Sequence, residues 1–128
     1  MRLVGTQVRQ GESTLYLHNL KVSGFRALGS LEVRFARGLN LVVGPNNTGK
    51  TAVIDALRVL LSAGDEGALR VVDLDRHVAT DGVVAAHATF KYVFRELTLD
   101  EEADFVTALT PYEDKGATKY QAEVSVRY

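Results

Sequence analysis

Residues 44–51 read Gly44-Pro45-Asn46-Asn47-Thr48-Gly49-Lys50-Thr51 and fit G-x-x-x-x-G-K-[ST] at every specified position. This is the tightest constraint the chain places on its own fold. A loop of this form must wrap closely around an anion, so Gly44 and Gly49 avoid Cβ clashes and allow unusual backbone angles. Successive N–H groups of Asn46, Asn47, Thr48 and Gly49 can then turn inward as an anion nest. A helix opening near Gly49 adds unsatisfied donors and the positive end of its dipole. Lys50 supplies a compact positive charge for β- and γ-phosphates. Thr51 offers a hydroxyl to Mg²⁺, which favours oxygen ligands and bridges phosphate oxygens. The expected ligand is a nucleoside triphosphate with Mg²⁺.

Such a loop needs a buried strand before it and an amphipathic helix after it. Leu39-Asn40-Leu41-Val42-Val43 is a short apolar run and predicts a strand buried on both faces. Val53, Ile54, Leu57, Leu60 and Leu61 recur every three or four residues and predict a helix, with Asp55 and Arg58 facing away from that stripe and able to pair. Ser62-Ala63-Gly64-Asp65-Glu66-Gly67 would end it. Upstream, residues 15–24 alternate in part, and Leu31, Val33 and Phe35 alternate against Glu32 and Arg34, so two strands precede the loop, with a turn at Gly38.

The second half is less regular. Residues 83–94 mix β-branched and aromatic side chains, which predicts one strand or two short ones. Thr98 and Glu101 have the spacing of a capping box, so Asp100, Glu101 and Glu102 have a structural role in a first helical turn. Phe105, Val106 and Leu109 would form that helix's apolar face, and Pro111 would stop it. Residues 120–128 alternate and predict a last strand.

Composition closes off several classes. The chain has 128 residues, 46% of them hydrophobic, enough for one domain with a core. With no cysteine, it has neither disulfides nor a thiolate zinc site. No apolar run matches a signal peptide or a membrane span, so a cytoplasmic chain without a membrane partner is expected. Residues 1–64 carry eight Lys/Arg against three Asp/Glu, and residues 65–128 carry seven against thirteen. That asymmetry is compatible with nucleic acid, but dispersed bases are equally an ordinary solvated surface. His18, His77 and His87 lack metal-ligand spacing. Asp73 and Asp75 superficially resemble the strand-ending acid of a Mg²⁺ site, but lie close behind Lys50. Arg26, in Gly24-Phe25-Arg26, approaches the nucleotide only if the first strands fold beside the loop.

The run Leu20-Lys21-Val22-Ser23-Gly24-Phe25-Arg26-Ala27-Leu28, the apolar run 39–43, the loop, and Val53-Ile54-Asp55-Ala56-Leu57-Arg58 together resemble the ATPase heads of the RecF/structural-maintenance-of-chromosomes (SMC) group of ABC-type ATPases. Asn46-Asn47 resembles most closely the overcoming-lysogenization-defect (OLD) family of ATP-dependent endonucleases. The resemblance implies an α/β P-loop ATPase lobe: a mixed sheet with an antiparallel β subdomain and a helix after the loop. It implies that ATP and Mg²⁺ are held by Gly44, Asn46, Asn47, Thr48, Gly49, Lys50 and Thr51, with Arg26 near the nucleotide. Dimerised heads and a role in DNA repair or phage defence also follow from it. The ABC signature loop, a late strand ending in Asp-Glu and the Toprim nuclease acids are not found. Residues 1–128 are therefore expected to be an incomplete N-terminal lobe that binds nucleotide with little turnover alone. The alternatives are a subunit of a transport or signalling ABC ATPase, or a non-catalytic interaction module stabilised by nucleotide.

Overall fold

The computed structural model describes residues 13–61 and 70–128. Five strands form one antiparallel sheet: β1 (Tyr16–Phe25), β2 (Leu28–Arg34), β3 (Thr89–Arg95), β4 (Leu109–Asp114) and β5 (Ala117–Arg127), in the order β2-β1-β3-β5-β4. Helix α1 (Lys50–Leu61) covers one face, and a short helix α2 (Leu99–Asp104) links β3 to β4. The predicted end of α1 at residues 62–67 lies outside the described residues.

Alternation decides which face of the sheet is covered. On β1, Leu20 and Val22 are buried while Lys21 and Ser23 are exposed. Phe90 and Tyr92 of β3 and Ala122 of β5 continue that apolar layer, and Ala52, Val53, Ala56 and Val59 of α1 close over it. Phe25 meets Phe90 edge to face at 5.0 Å. The Tyr92 hydroxyl donates to the Ala56 carbonyl at 2.7 Å, fastening sheet to helix. Burial drives the Tyr92 phenol well above its ordinary pKa, so it stays a donor.

Two expectations fail here. Residues 39–43 form no strand and have no sheet partner, with Leu39 95%, Leu41 83% and Val43 78% exposed. An apolar run specifies burial only where neighbouring strands and layers exist, and none covers it among the described residues. The apolar face of α1 is also turned by about one residue from the predicted stripe. Ala52, Val53, Ala56 and Val59 face the sheet and the predicted Leu57 and Leu60 pack half-buried beside them, leaving Ile54 47% and Leu61 82% exposed. Helix α1 thus presents apolar surface on two sides.

The linker after β3 is a third correction. Thr98 caps α2 as expected, its hydroxyl accepting from the Glu101 N–H at 3.3 Å while the Glu101 carboxylate accepts from the Thr98 N–H at 2.8 Å. The helix stops at Asp104, well before Pro111, which lies in β4. Pro111 is tolerated there because β4 is an edge strand. Phe105 stacks on Phe94 at 6.4 Å, whereas Val106 is exposed. The predicted strand within residues 83–94 begins only at Thr89.

Candidate functional site

The loop 44–49 leads directly into α1, whose first helical bond runs from the Val53 N–H to the Gly49 carbonyl. Asn47 (φ 64°) and Gly49 (φ 89°) both take left-handed backbone angles, the conformation that turns successive amides the same way. Thr48 pins the turn by donating its hydroxyl to the Pro45 carbonyl at 2.7 Å. A Cβ on Gly49 would come within 2.6 Å of Leu28 Cδ2, so the loop lies close against the start of β2. The backbone N–H groups of residues 46–49 find no acceptor among the described residues. Lys50 Nζ reaches back over the loop to the Gly44 carbonyl at 2.6 Å and also to the Pro45 carbonyl.

An open cavity of about 600 Å³ sits above this loop, lined by Arg26, Ala27, Asn46, Asn47, Gly49, Lys50, Thr51 and Ala52. The residue types suit a phosphate chain: unclaimed amides, two cations, an exposed hydroxyl at Thr51, and no carboxylate among the lining residues. Gly44 and Thr48 complete the loop's turn rather than the lining; a Cβ on Gly44 would meet Thr48 Oγ1 at 3.1 Å. The sequence-predicted loop residues therefore come together at one site, and Arg26 joins them.

Arg26 sits in the tight β1–β2 turn with φ 48°, unusual for a residue with a side chain. Such a backbone persists only where its surroundings over-determine it. Here the Arg26 N–H donates to the Asp75 carbonyl at 2.6 Å, and the Arg26 carbonyl accepts from His77 Nδ1 at 2.7 Å. Its guanidinium donates through Nε to Asp75 Oδ1 at 2.8 Å and through Nη1 to Asp55 Oδ2. Asp75 foremost, then Asp55, hold the guanidinium more firmly protonated than usual against the opposing cost of burial. Burial pushes the Asp75 carboxyl up, but the Val72 N–H and Arg26 outweigh it, and its pKa is held below the ordinary value.

Asp55 does pair with Arg58, at 3.2 Å, as the helical spacing suggested. It does not face away, however: it is only 5% exposed, drawn inward by Arg26. Asp73 and Asp75 form a 3-10 turn rather than a strand end, and pair with Arg76 and Arg26 respectively. The sequence singles out Asp75 only as a candidate Mg²⁺ acid; its pairing with Arg26 is what sequence reasoning missed. Asp75 stands 49 positions from Arg26, and no local pattern links the two. No group of three or more His, Cys, Asp or Glu that could hold a metal ion occurs among the described residues. None of the described helices is long and apolar enough to cross a membrane.

Known proteins share this fold and stretches of this sequence. The AAA_23 family, an AAA domain, matches residues 19–123. The Septu protein PtuA of Bacillus thuringiensis is 34% identical over 56 residues, covering 44% of this chain and 14% of PtuA. The DNA replication and repair protein RecF of Saccharophagus degradans is 47% identical over 45 residues, covering 35% of this chain and 12% of RecF. This chain thus corresponds to a small part of the length of these relatives. A solved SMC ATPase, studied for ATP-driven dimerization and DNA-stimulated activation, superposes with a TM-score of 0.51 at 24% identity, covering 88% of this chain and 61% of that one. The match over residues 19–123 places the chain in the AAA_23 family, an AAA domain, with a stretch similar to RecF and a fold similar to that of an SMC ATPase.

Proposed function

We propose that this chain is the ATP-binding lobe of a DNA-processing ATPase, one lobe of a larger head that pairs with a second head. The observation that carries the reading is the set of amides at residues 46–49 that meet no acceptor among the described residues, at the start of α1 with Lys50, Thr51 and Arg26 around them. Phosphate oxygens would accept from those amides, and Lys50 would exchange the Gly44 and Pro45 carbonyls for the β- and γ-phosphates. Thr51 would supply the protein's oxygen to Mg²⁺, and the ion would neutralise phosphate charge. Because none of the described residues lining the cavity is a carboxylate that could position water, binding without appreciable turnover is the expectation for the chain alone.

The finer reading, the ATPase lobe of an OLD-type endonuclease in repair or phage defence, is supported by Asn46-Asn47 and by the likeness to PtuA. The bare apolar run 39–43 and the second apolar side of α1 support a single lobe awaiting the rest of its head.

Titration with Mg·ATP, with and without duplex DNA, tests the proposal. Lys50→Ala is expected to weaken binding at least about tenfold with an unchanged fold, since Lys50 Nζ touches only loop carbonyls. Equal affinity in variant and parent refutes the site. Affinity that rises with DNA supports DNA processing, whereas indifference to DNA favours a transport or signalling ATPase or a non-catalytic interaction module stabilised by nucleotide.

A further inference from the structure

We infer that Asp75 is a positioning residue of the nucleotide site, and that the segment 73–77 exists in part to hold Arg26 at the cavity. The inference rests on the proposed function, because it takes the cavity's ligand to be ATP.

The grip on Arg26 is more complete than packing requires. A turn residue on a sheet needs only its own hairpin bonds, yet the Arg26 N–H, carbonyl and Nε are held from residues 75 and 77. The segment is itself anchored beside that turn. The His77 N–H donates to the Gly24 carbonyl at 2.9 Å, and the Ala85 N–H donates to the His77 carbonyl at 2.8 Å. Gly24 admits the neighbouring residues 85–87, whose Ala85 holds His77, since a Cβ there would lie 2.2 Å from the His87 carbonyl oxygen. The Asp75 carboxylate is braced in turn, its Oδ2 accepting from the Val72 N–H at 3.0 Å while Oδ1 receives Arg26. Asp75 therefore has a fixed orientation, and it hands that orientation to the guanidinium.

The division of the guanidinium's donors bears on its use. Asp75 takes Nε and Asp55 takes Nη1, leaving the two N–H bonds of Nη2 without a carboxylate among the described residues. A planar fork clamped at two of its nitrogens loses little further freedom when the third meets a phosphate or sugar oxygen. An unclamped arginine at the same place would have to be ordered by the ligand itself. Asp75 accordingly contributes to affinity without touching the nucleotide.

The test is a double-mutant cycle on Mg·ATP binding by the chain, using Asp75→Asn, Arg26→Lys and the pair. Asp75→Asn keeps shape and an acceptor but removes the charge that fixes Arg26. Arg26→Lys keeps the charge but loses the fork. Each single variant is expected to weaken binding roughly three- to tenfold. The pair should be no weaker than Arg26→Lys alone, within about twofold, and Asp75→Glu should recover part of the loss. Unchanged or tighter binding by Asp75→Asn overturns the inference. Additive losses also overturn it, because Asp75 would then act independently of Arg26. Thermal melts of each variant check the fold, and if Asp75→Asn is unfolded at the assay temperature, Asp75→Ser takes its place in the cycle. Lys50→Ala separates the two levels. If the parent binds no ATP, or Lys50→Ala binds equally, the nucleotide reading fails and this inference falls with it. If Lys50→Ala loses binding while Asp75→Asn does not, only the positioning role fails.

Discussion

Gly49 carries two separate demands at a single position. Its φ of 89° lies where side chains are strained, and a Cβ there would press to 2.6 Å on Leu28 Cδ2, within the buried cluster. Gly49→Val adds both penalties, about 2–5 kcal/mol in total, and should lower the thermal midpoint by roughly 10 °C or more as well as weakening nucleotide binding. Gly82, at φ 83° with nothing within 4 Å, isolates the conformational part, so Gly82→Ala should cost visibly less. Equal melts for the two variants would show that the contact with Leu28 does not matter. Asp75 adds a pH dependence at the same scale. Its folded pKa lies below the unfolded value of 3.8, so its stabilisation is present above that value and is lost as pH falls through the folded pKa. The stability gap between parent and Asp75→Asn, read from urea melts, should therefore be full at pH 6 and shrink below about pH 4. A gap that widens in acid would contradict the sign.

At the scale of elements, α2 depends on its cap more than on its length. Six residues cannot sustain a helix by themselves, and none of them is buried. Thr98→Ala removes the hydroxyl that satisfies the Glu101 N–H and should cost about 1 kcal/mol, measurable by denaturant unfolding. A variant as stable as the parent would show that the Phe105–Phe94 stack alone holds this linker. The same elements show what the sequence makes legible. The cap is local chemistry over four residues, and Thr98 and Glu101 declare it. Strands β1 and β5 are legible because one covered face imposes a period of two on Leu20 and Val22, and on Ala122, Val124 and Val126. Residues 39–43 mislead because apolarity reports a need for burial without saying where the covering strand comes from. The rotation of α1 was hidden for a related reason. Leucines and isoleucine at 54, 57, 60 and 61 outweigh alanines 52 and 56 in any hydrophobic count, yet small residues allow the closest approach of helix to sheet. Within the site, local spacing marks the loop in the sequence, while the pairing of Asp75 with Arg26 leaves no local mark, because it is fixed only by tertiary folding.

For the whole molecule, the decisive property is where its apolar surface is left bare. Leu39, Leu41, Val43 and Leu61 are each more than three-quarters exposed, and Ile54 lines a groove shared with Asn40 and Val42, so the run 39–43 and the outer side of α1 lie side by side. Surface of that kind drives association. The sheet edges are better defended. Edge strand β4 carries Pro111, Glu113 and Asp114, and edge strand β2 carries Glu32 and Arg34, all of which discourage strand addition. The isolated chain should therefore self-associate at high concentration, and through the 39–43 surface rather than through β2 or β4. Light scattering across a concentration series should show growing mass for the parent. Leu41→Lys, which lies on bare surface and outside the loop, should restore a monomer with an unchanged melt. A parent that stays monomeric, or one whose association yields to charges added on β2 or β4 but not to Leu41→Lys, would mean that the bare 39–43 run and helix face are not what draws copies together.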